Sequence, residues 1–211
     1  MLNRFAEQLS HGLILLAAVV VLLLQGCSIS QPKPQVADTA APEEQPIPEA
    51  LTAAYQQGLE LLQDKKYDEA LVHWQGLAEE YRQFPGCWSN LGIAQFNNQA
   101  YEASVKSFDQ ALSIDSSFCP ALKMKALAER EAGHFKKSEE TYLSALQCAP
   151  GDADVHYNLG ILYDLYMQDL AKALEHYQQA AALMSQTDET LAMWITDLER
   201  RNAEQMAGDD S

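Results

Sequence analysis

Residues 86–118 read GCWSNLGIAQFNNQAYEASVKSFDQALSIDSSF. Trp88, Leu91 and Gly92 mark the first half of this stretch, and Ser104, Phe108 and Ala111 the second. Steps of 34 residues in either direction meet the same kinds of residue. Gly92 is echoed by Gly58, Ala126 and Gly160, Tyr101 by Tyr67 and Phe135, Ser104 by Ala70 and Ser138, and Phe108 by Trp74 and Tyr142. In the last unit the later marks arrive one residue late, at Leu170, Ala173 and Tyr177. A fixed period of this length marks a helical hairpin repeat. Small residues let the two helices of a unit approach, and aromatics fill the gap to the next unit. One hairpin cannot bury its own apolar face, so at least about three must stack.

The pattern resembles the tetratricopeptide repeat (TPR). Repeat two carries it in Trp88, Leu91, Gly92, Ser104, Phe108 and Ala111. Repeat three carries it in Leu122, Ala126, Ser138, Tyr142, Ala145 and Pro150. Repeat four has Leu159, Gly160, Tyr163, Ala173, Tyr177 and Ala180. Repeat one fits at Ala54, Gly58, Ala70 and Trp74, but Gln57 takes a place that is usually apolar. The resemblance implies an all-α, right-handed superhelical solenoid of about four hairpins, over 51–84, 85–118, 119–152 and 153–185. First helices are expected near 51–64, 86–98, 120–132 and 153–166, and second helices near 67–81, 101–114, 135–148 and 170–184. Pro85-Gly86, Asp115-Ser116-Ser117 and Pro150-Gly151-Asp152 break them, with Asp152 placed to cap the next helix. The extra residue of repeat four is expected to lengthen the turn around Met167-Gln168-Asp169. Repeat one has two or three residues more than the usual spacing before its proline.

After Asp188 the period stops. Leu191, Trp194, Ile195 and Leu198 then recur at helical spacing. A capping helix is expected over 186–205, since a solenoid needs its last unit covered; a docking helix for a partner is the alternative. Residues 206–211, with Gly208, are expected to form a frayed tail.

The first fifty residues read differently. Leu13 to Leu24 is an unbroken apolar run. It is shorter than the ~20 residues of a membrane-spanning helix and suits the core of a secretory signal over 1–26. The run ends in Leu24-Gln25-Gly26-Cys27, which resembles the bacterial lipobox. That resemblance implies cleavage before Cys27, acylation of its thiol and anchoring through acyl chains. Two or more chains hold stably where one is marginal. Ser28, rather than Asp, favours the outer membrane's periplasmic face if the source is Gram-negative. Residues 27–50 hold five prolines, Pro32, Pro34, Pro42, Pro46 and Pro48, and no aromatic residue, as a tether would.

The formal charge of −16 repels phosphate backbones, so nucleic acid is not an expected partner. Three cysteines remain besides Cys27. Antiparallel helices bring Cys119, which starts one helix, near Cys148, which ends its mate, and an oxidising compartment would allow a bridge. Three packed thiols, with Cys87, is the alternative. His73, His134, His156 and His176 show no paired-ligand spacing, and no phosphate loop, nucleophile elbow or dinucleotide fingerprint occurs. The sequence therefore implies no catalytic site, metal or cofactor.

In the family the first helices line a concave groove. Carried onto this sequence, its facing places are Tyr55, Leu59 and Leu62; Ser89, Ile93, Phe96 and Asn97; Lys123, Leu127, Arg130 and Glu131; and Tyr157, Ile161 and Asp164. Phe96 and Tyr157 would anchor a peptide or helix, Asn97 would bond its backbone, and Arg130 would meet a carboxylate. The function implied is an adaptor of the bacterial cell envelope that binds another envelope protein. Self-association through exchanged terminal helices is the rival.

Overall fold

The computed structural model describes residues 47–209, and the signal, Cys27 and most of the tether lie outside them. All regular structure among the described residues is helical. The chain runs α1 (Glu49–Gln63), α2 (Tyr67–Glu80), α3 (Pro85–Asn97), α4 (Tyr101–Ile114), α5 (Cys119–Glu131), α6 (Phe135–Cys148), α7 (Ala153–Ile161), a π-helical turn (Leu162–Met167), α8 (Leu170–Leu183) and α9 (Glu189–Asp209). Consecutive pairs form four antiparallel hairpins in a right-handed solenoid, and α9 packs on the last.

The 34-residue marks become packing contacts. A Cβ built on Gly92 would stand 2.8 Å from the ring of Phe108, and one on Gly58 would stand 2.5 Å from that of Trp74. At Gly160 the Tyr177 ring is closer still. Trp74, Phe108, Tyr142 and Tyr177 are fully buried. The small polar mark has its own use: Ser104 Oγ donates to the Gly92 carbonyl and Ser138 Oγ to the Ala126 carbonyl, each at 2.8 Å. These buried bonds tie the two helices of a hairpin at their closest approach.

Every turn inside a hairpin uses one left-handed residue: Lys65, Gln99, Gly133 and Gln168. The residue after it closes the helix by donating its N–H backwards, Lys66 to Leu61, Ala100 to Gln95 and His134 to Glu129, as helix ends with a left-handed residue do. In repeat four the closing bond, Asp169 to Tyr163, reaches one residue further. The extra residue is therefore absorbed as the π-helical turn within the first helix, and the turn after it keeps the form of the others. Pushing one residue into a helix rotates the rest of that helix about its axis, and Leu165 and Tyr166 emerge exposed.

Two other expectations are corrected. The loop closing repeat one, 81–84, is as long as those at 115–118 and 149–152, and Trp88 Nε1 donates across it to the Arg82 carbonyl at 3.1 Å. The terminal helix continues through residues 206–209, where a frayed tail was expected, so Gly208 does not end it.

Candidate binding groove

The groove residues of the four first helices fall into three rows at the repeat spacing. Tyr55, Ser89, Lys123 and Tyr157 make one row; Leu59, Ile93, Leu127 and Ile161 the second; Leu62, Phe96, Arg130 and Asp164 the third.

In the first row the side chains tie one repeat to the next. Tyr55 Oη accepts from Asn90 Nδ2 at 2.7 Å. Ser89 is buried. Lys123 bridges Asp152 at 3.0 Å and Asp154 at 3.1 Å, and those carboxylates raise its pKa against the opposing effect of desolvation. Tyr157 stacks on Trp194 of α9, ring centroids 5.9 Å apart; burial raises its phenol pKa.

The third row is also committed at its far end. Arg130 donates to Asn158 Oδ1 at 3.2 Å, pairs with Glu131 at 3.1 Å and lies over the Tyr166 ring. Its charge is answered within the chain, so it is no free carboxylate clamp. Asp164 pairs with Arg201 of α9 at 3.1 Å. Phe96, tilted against Tyr101, keeps a half-exposed face. Asn97 Nδ2 donates to its own helix, at the Ile93 carbonyl, which leaves its side-chain oxygen as the atom open to a partner.

The middle row carries no polar tie. Leu59 is 38% exposed, and Ile93, Leu127 and Ile161 are half-buried. It forms an apolar strip along all four first helices. At the open end lies a cleft of about 360 Å³ walled by Ile47, Leu51, Tyr55, Phe84, Pro85 and Phe118. Tyr157 and Asp164, expected to meet a partner, instead meet α9, which lies where the first helix of a fifth repeat would.

Cys119 and Cys148 form a disulfide with Cα atoms 5.7 Å apart, clipping the open ends of α5 and α6. Cys87 is a buried free thiol, pushed up to about 11 by burial. The histidines hold one surprise: His156 and His176 meet with Nδ1 atoms 3.0 Å apart. Linear spacing hides this, but the repeat could have shown it, because each ring is the neighbour of a groove or packing mark, Tyr157 and Tyr177. Among the described residues no three His, Cys, Asp or Glu side chains gather to hold a metal, and no helix is long and apolar enough to cross a membrane.

Stacked hairpins with an apolar row repeated on their first helices define a repeat scaffold for protein–protein contact. The chain belongs to the tetratricopeptide repeat family, whose profile matches residues 45–117 and 123–186. Solved structures share the fold. MamA from Desulfovibrio magneticus RS-1 is 21% identical, with 78% of this chain and 92% of that one covered at a TM-score of 0.66. PilF of Pseudomonas aeruginosa is 23% identical, covering 74% and 70% at 0.66. YrrB, described as a TPR protein with an unusual peptide-binding site, is 20% identical, covering 70% and 75% at 0.60. No curated protein matches the sequence significantly.

Proposed function

We propose that this protein is a lipid-anchored adaptor of the bacterial envelope that holds a peptide or helix of another envelope protein in its groove. The observation that carries the groove is the apolar row of Leu59, Ile93 and Leu127, exposed or half-buried, while the polar residues beside it, Tyr55, Lys123 and Arg130, are tied up within the chain. Such a strip offers alternate pockets to an amphipathic segment, and half-exposed Phe96 beside it offers an aromatic anchor. YrrB, described as a TPR protein with an unusual peptide-binding site, supports a peptide as the kind of partner. The anchor rests on the apolar run ending in Gly26-Cys27, and the tether on the prolines after it. Acylated Cys27 would hang the solenoid from the outer membrane, facing the periplasm, where a pilus, secretion or cell-wall machine would be the partner. Because α9 is seated on its own last repeat through Trp194 and Arg201, capping is favoured over exchange between copies.

The test is photo-crosslinking from position 96 in cells, with a second arm on the anchor. A single envelope protein captured by the parent, and lost when Leu59 and Ile93 become Asp, supports the groove. Undiminished capture by that variant moves the site elsewhere. Cys27→Ser should shift the protein from the membrane fraction to the soluble one, and unchanged fractionation defeats the anchor.

A further inference from the structure

The first and last hairpins place a histidine at the same point of the repeat. His73, just before Trp74 on α2, directs its Nε2 to the Ala54 carbonyl of α1 at 2.6 Å. His176, just before Tyr177 on α8, occupies the matching position, but where α1 has Ala54, α7 has His156. The result is an imidazole–imidazole contact with Nδ1 atoms 3.0 Å apart. One nitrogen donates and the other accepts, so the contact survives with both rings neutral or with one charged. With both charged, two N–H groups face each other and two like charges meet, and the bond is lost.

Among the described residues no carboxylate is bonded to either ring. His176 lies flat against Tyr163, ring centroids 5.5 Å apart and planes 11° from parallel. Tyr163 Oη donates to Glu139 of α6 at 2.6 Å, and Glu139 is answered by Lys136 and Lys172 at 3.4 and 3.6 Å. On α8 itself stand Lys172, whose ammonium lies over the Tyr163 ring, and Glu175. Asp152 and Asp154, in front of and within the first turn of α7, are held by Lys123. From α9, Glu199 reaches this hairpin and accepts from Gln178 at 3.4 Å.

We infer that the last hairpin is a proton-sensitive joint: acidification that charges both His156 and His176 loosens α7 from α8 and unseats α9, while the first hairpin, whose histidine meets a backbone carbonyl, is left in place. Burial first, then the neighbouring His156, lowers the pKa of His176 below its ordinary value, against the pull of Glu175. A histidine whose folded pKa is depressed binds fewer protons folded than unfolded. Its contribution to stability is therefore present above the unfolded value of about 6.5 and is lost as pH falls from there toward the folded value. The groove end beneath α9 is then exposed by acid, which adds Tyr157 and Asp164 to the surface open to a partner.

The test is amide hydrogen exchange of the whole protein near neutrality and at about pH 5, corrected for the chemical rate, an interval that spans the ordinary imidazole range. Amides of α7–α9 should lose about tenfold more protection than those of α1 and α2 for each pKa unit of depression, and His156→Gln should reduce the difference, because burial of His176 remains while the second imidazole is gone. Equal losses in both regions, or an unchanged difference in the variant, overturn the inference. Imidazole ¹⁵N titration of the unaltered protein decides the matter if the variant does not fold. Two coupled steps, one below the ordinary range, are expected, and two independent ordinary titrations refute it.

Discussion

The two ends of this solenoid are built from one repeat and finished by different means. In α1 to α6 no side chain caps a helix start. From α7 on, aspartates do it: Asp152 accepts from the N–H groups of Asp154 and Val155, Asp169 from Lys172, and Asp188 from Thr190 and Leu191. Ion pairs divide the same way. Among the described residues Lys66–Asp64, exposed on both sides, is the one pair with both members in the first two hairpins; Asp109 of α4 pairs with Lys125 of the third, and Asp164–Arg201 and the Lys123 bridge lie further on. The far end is also covered, by Leu191, Trp194 and Leu198 of α9. The near end keeps an open apolar cleft and an Ile47 that is 65% exposed. Repetition fixes how units meet; what happens at an end is decided by residues that break the repetition.

The contrast can be broken most forcefully at the cover. Leu191 and Leu198 are 1% exposed each, within the cluster that holds Leu159, Leu162 and Tyr177. Buried Leu→Ala changes remove about 2–5 kcal/mol each, so replacing both should destabilise the protein by about 5 kcal/mol or more, with some coupling between them. Ile47→Ala, at the open end, should stay within about 0.5 kcal/mol. Urea unfolding followed by circular dichroism measures both. Similar midpoints for the two variants would mean that α9 is not the cover its burial describes.

The disulfide sharpens the comparison in the middle of the chain, because it clips the third hairpin and leaves the first two unclipped. Its sequence separation of 29 corresponds to about 3.5 kcal/mol of lost chain entropy in the unfolded state, on the loop-closure account. Cys119→Ser with Cys148→Ser should lower stability by about that much, and dithiothreitol should have the same effect on the parent and none on the double variant. A thiol reagent should label the native, oxidised protein slowly, since Cys87 is buried and its pKa lies near 11. Rapid labelling of two further thiols in exported protein would show that the bridge does not form there.

Much of this architecture is legible in the sequence because repetition turns one weak signal into four. The aromatic marks land in the core, and the helices of the repeats begin and end within a residue or two of their expected places, since Pro85, Pro150 and the left-handed turns punctuate them; the terminal helix, which no period marks, starts three residues later and ends four residues later than expected. What the sequence hides depends on contacts that no period encodes. The extra residue of repeat four could sit in a turn or in a helix, and backbone hydrogen bonding places it in the helix. The sequence sets Glu131 beside Arg130, but Asn158 and Tyr166 reach the guanidinium only in the fold. Tyr157 looks like a groove anchor because the period assigns it a facing position, yet α9, which lies outside the period, supplies Trp194 to cover it. His156 and His176 differ from these: a search for ligand spacing along the chain passes over them, but their places beside Tyr157 and Tyr177 in the repeat carry the signal.

The finest difference lies in the turns, and it isolates backbone conformation from packing. Gly133 is the glycine among the four left-handed turn residues, at φ +81°, and a Cβ there would meet nothing within 4 Å. Gly133→Ala therefore introduces strain without a clash. It should destabilise by about 1 kcal/mol, the strain exceeding what the alanine gains by restricting the unfolded chain. Gln99, at φ +60° in the matching turn of repeat two, already carries that strain. Gln99→Gly relieves about 1–2 kcal/mol of it and returns about 0.4–1 kcal/mol as unfolded-state freedom. The net expectation is a gain of about 0.5 kcal/mol, or roughly 1–2 °C in midpoint for a chain of this size. Shifts of opposite sign in the two turns would show that the repeat tolerates the left-handed geometry at a cost. Shifts of the same sign would mean that the two turns are not the equivalent joints their closing hydrogen bonds describe.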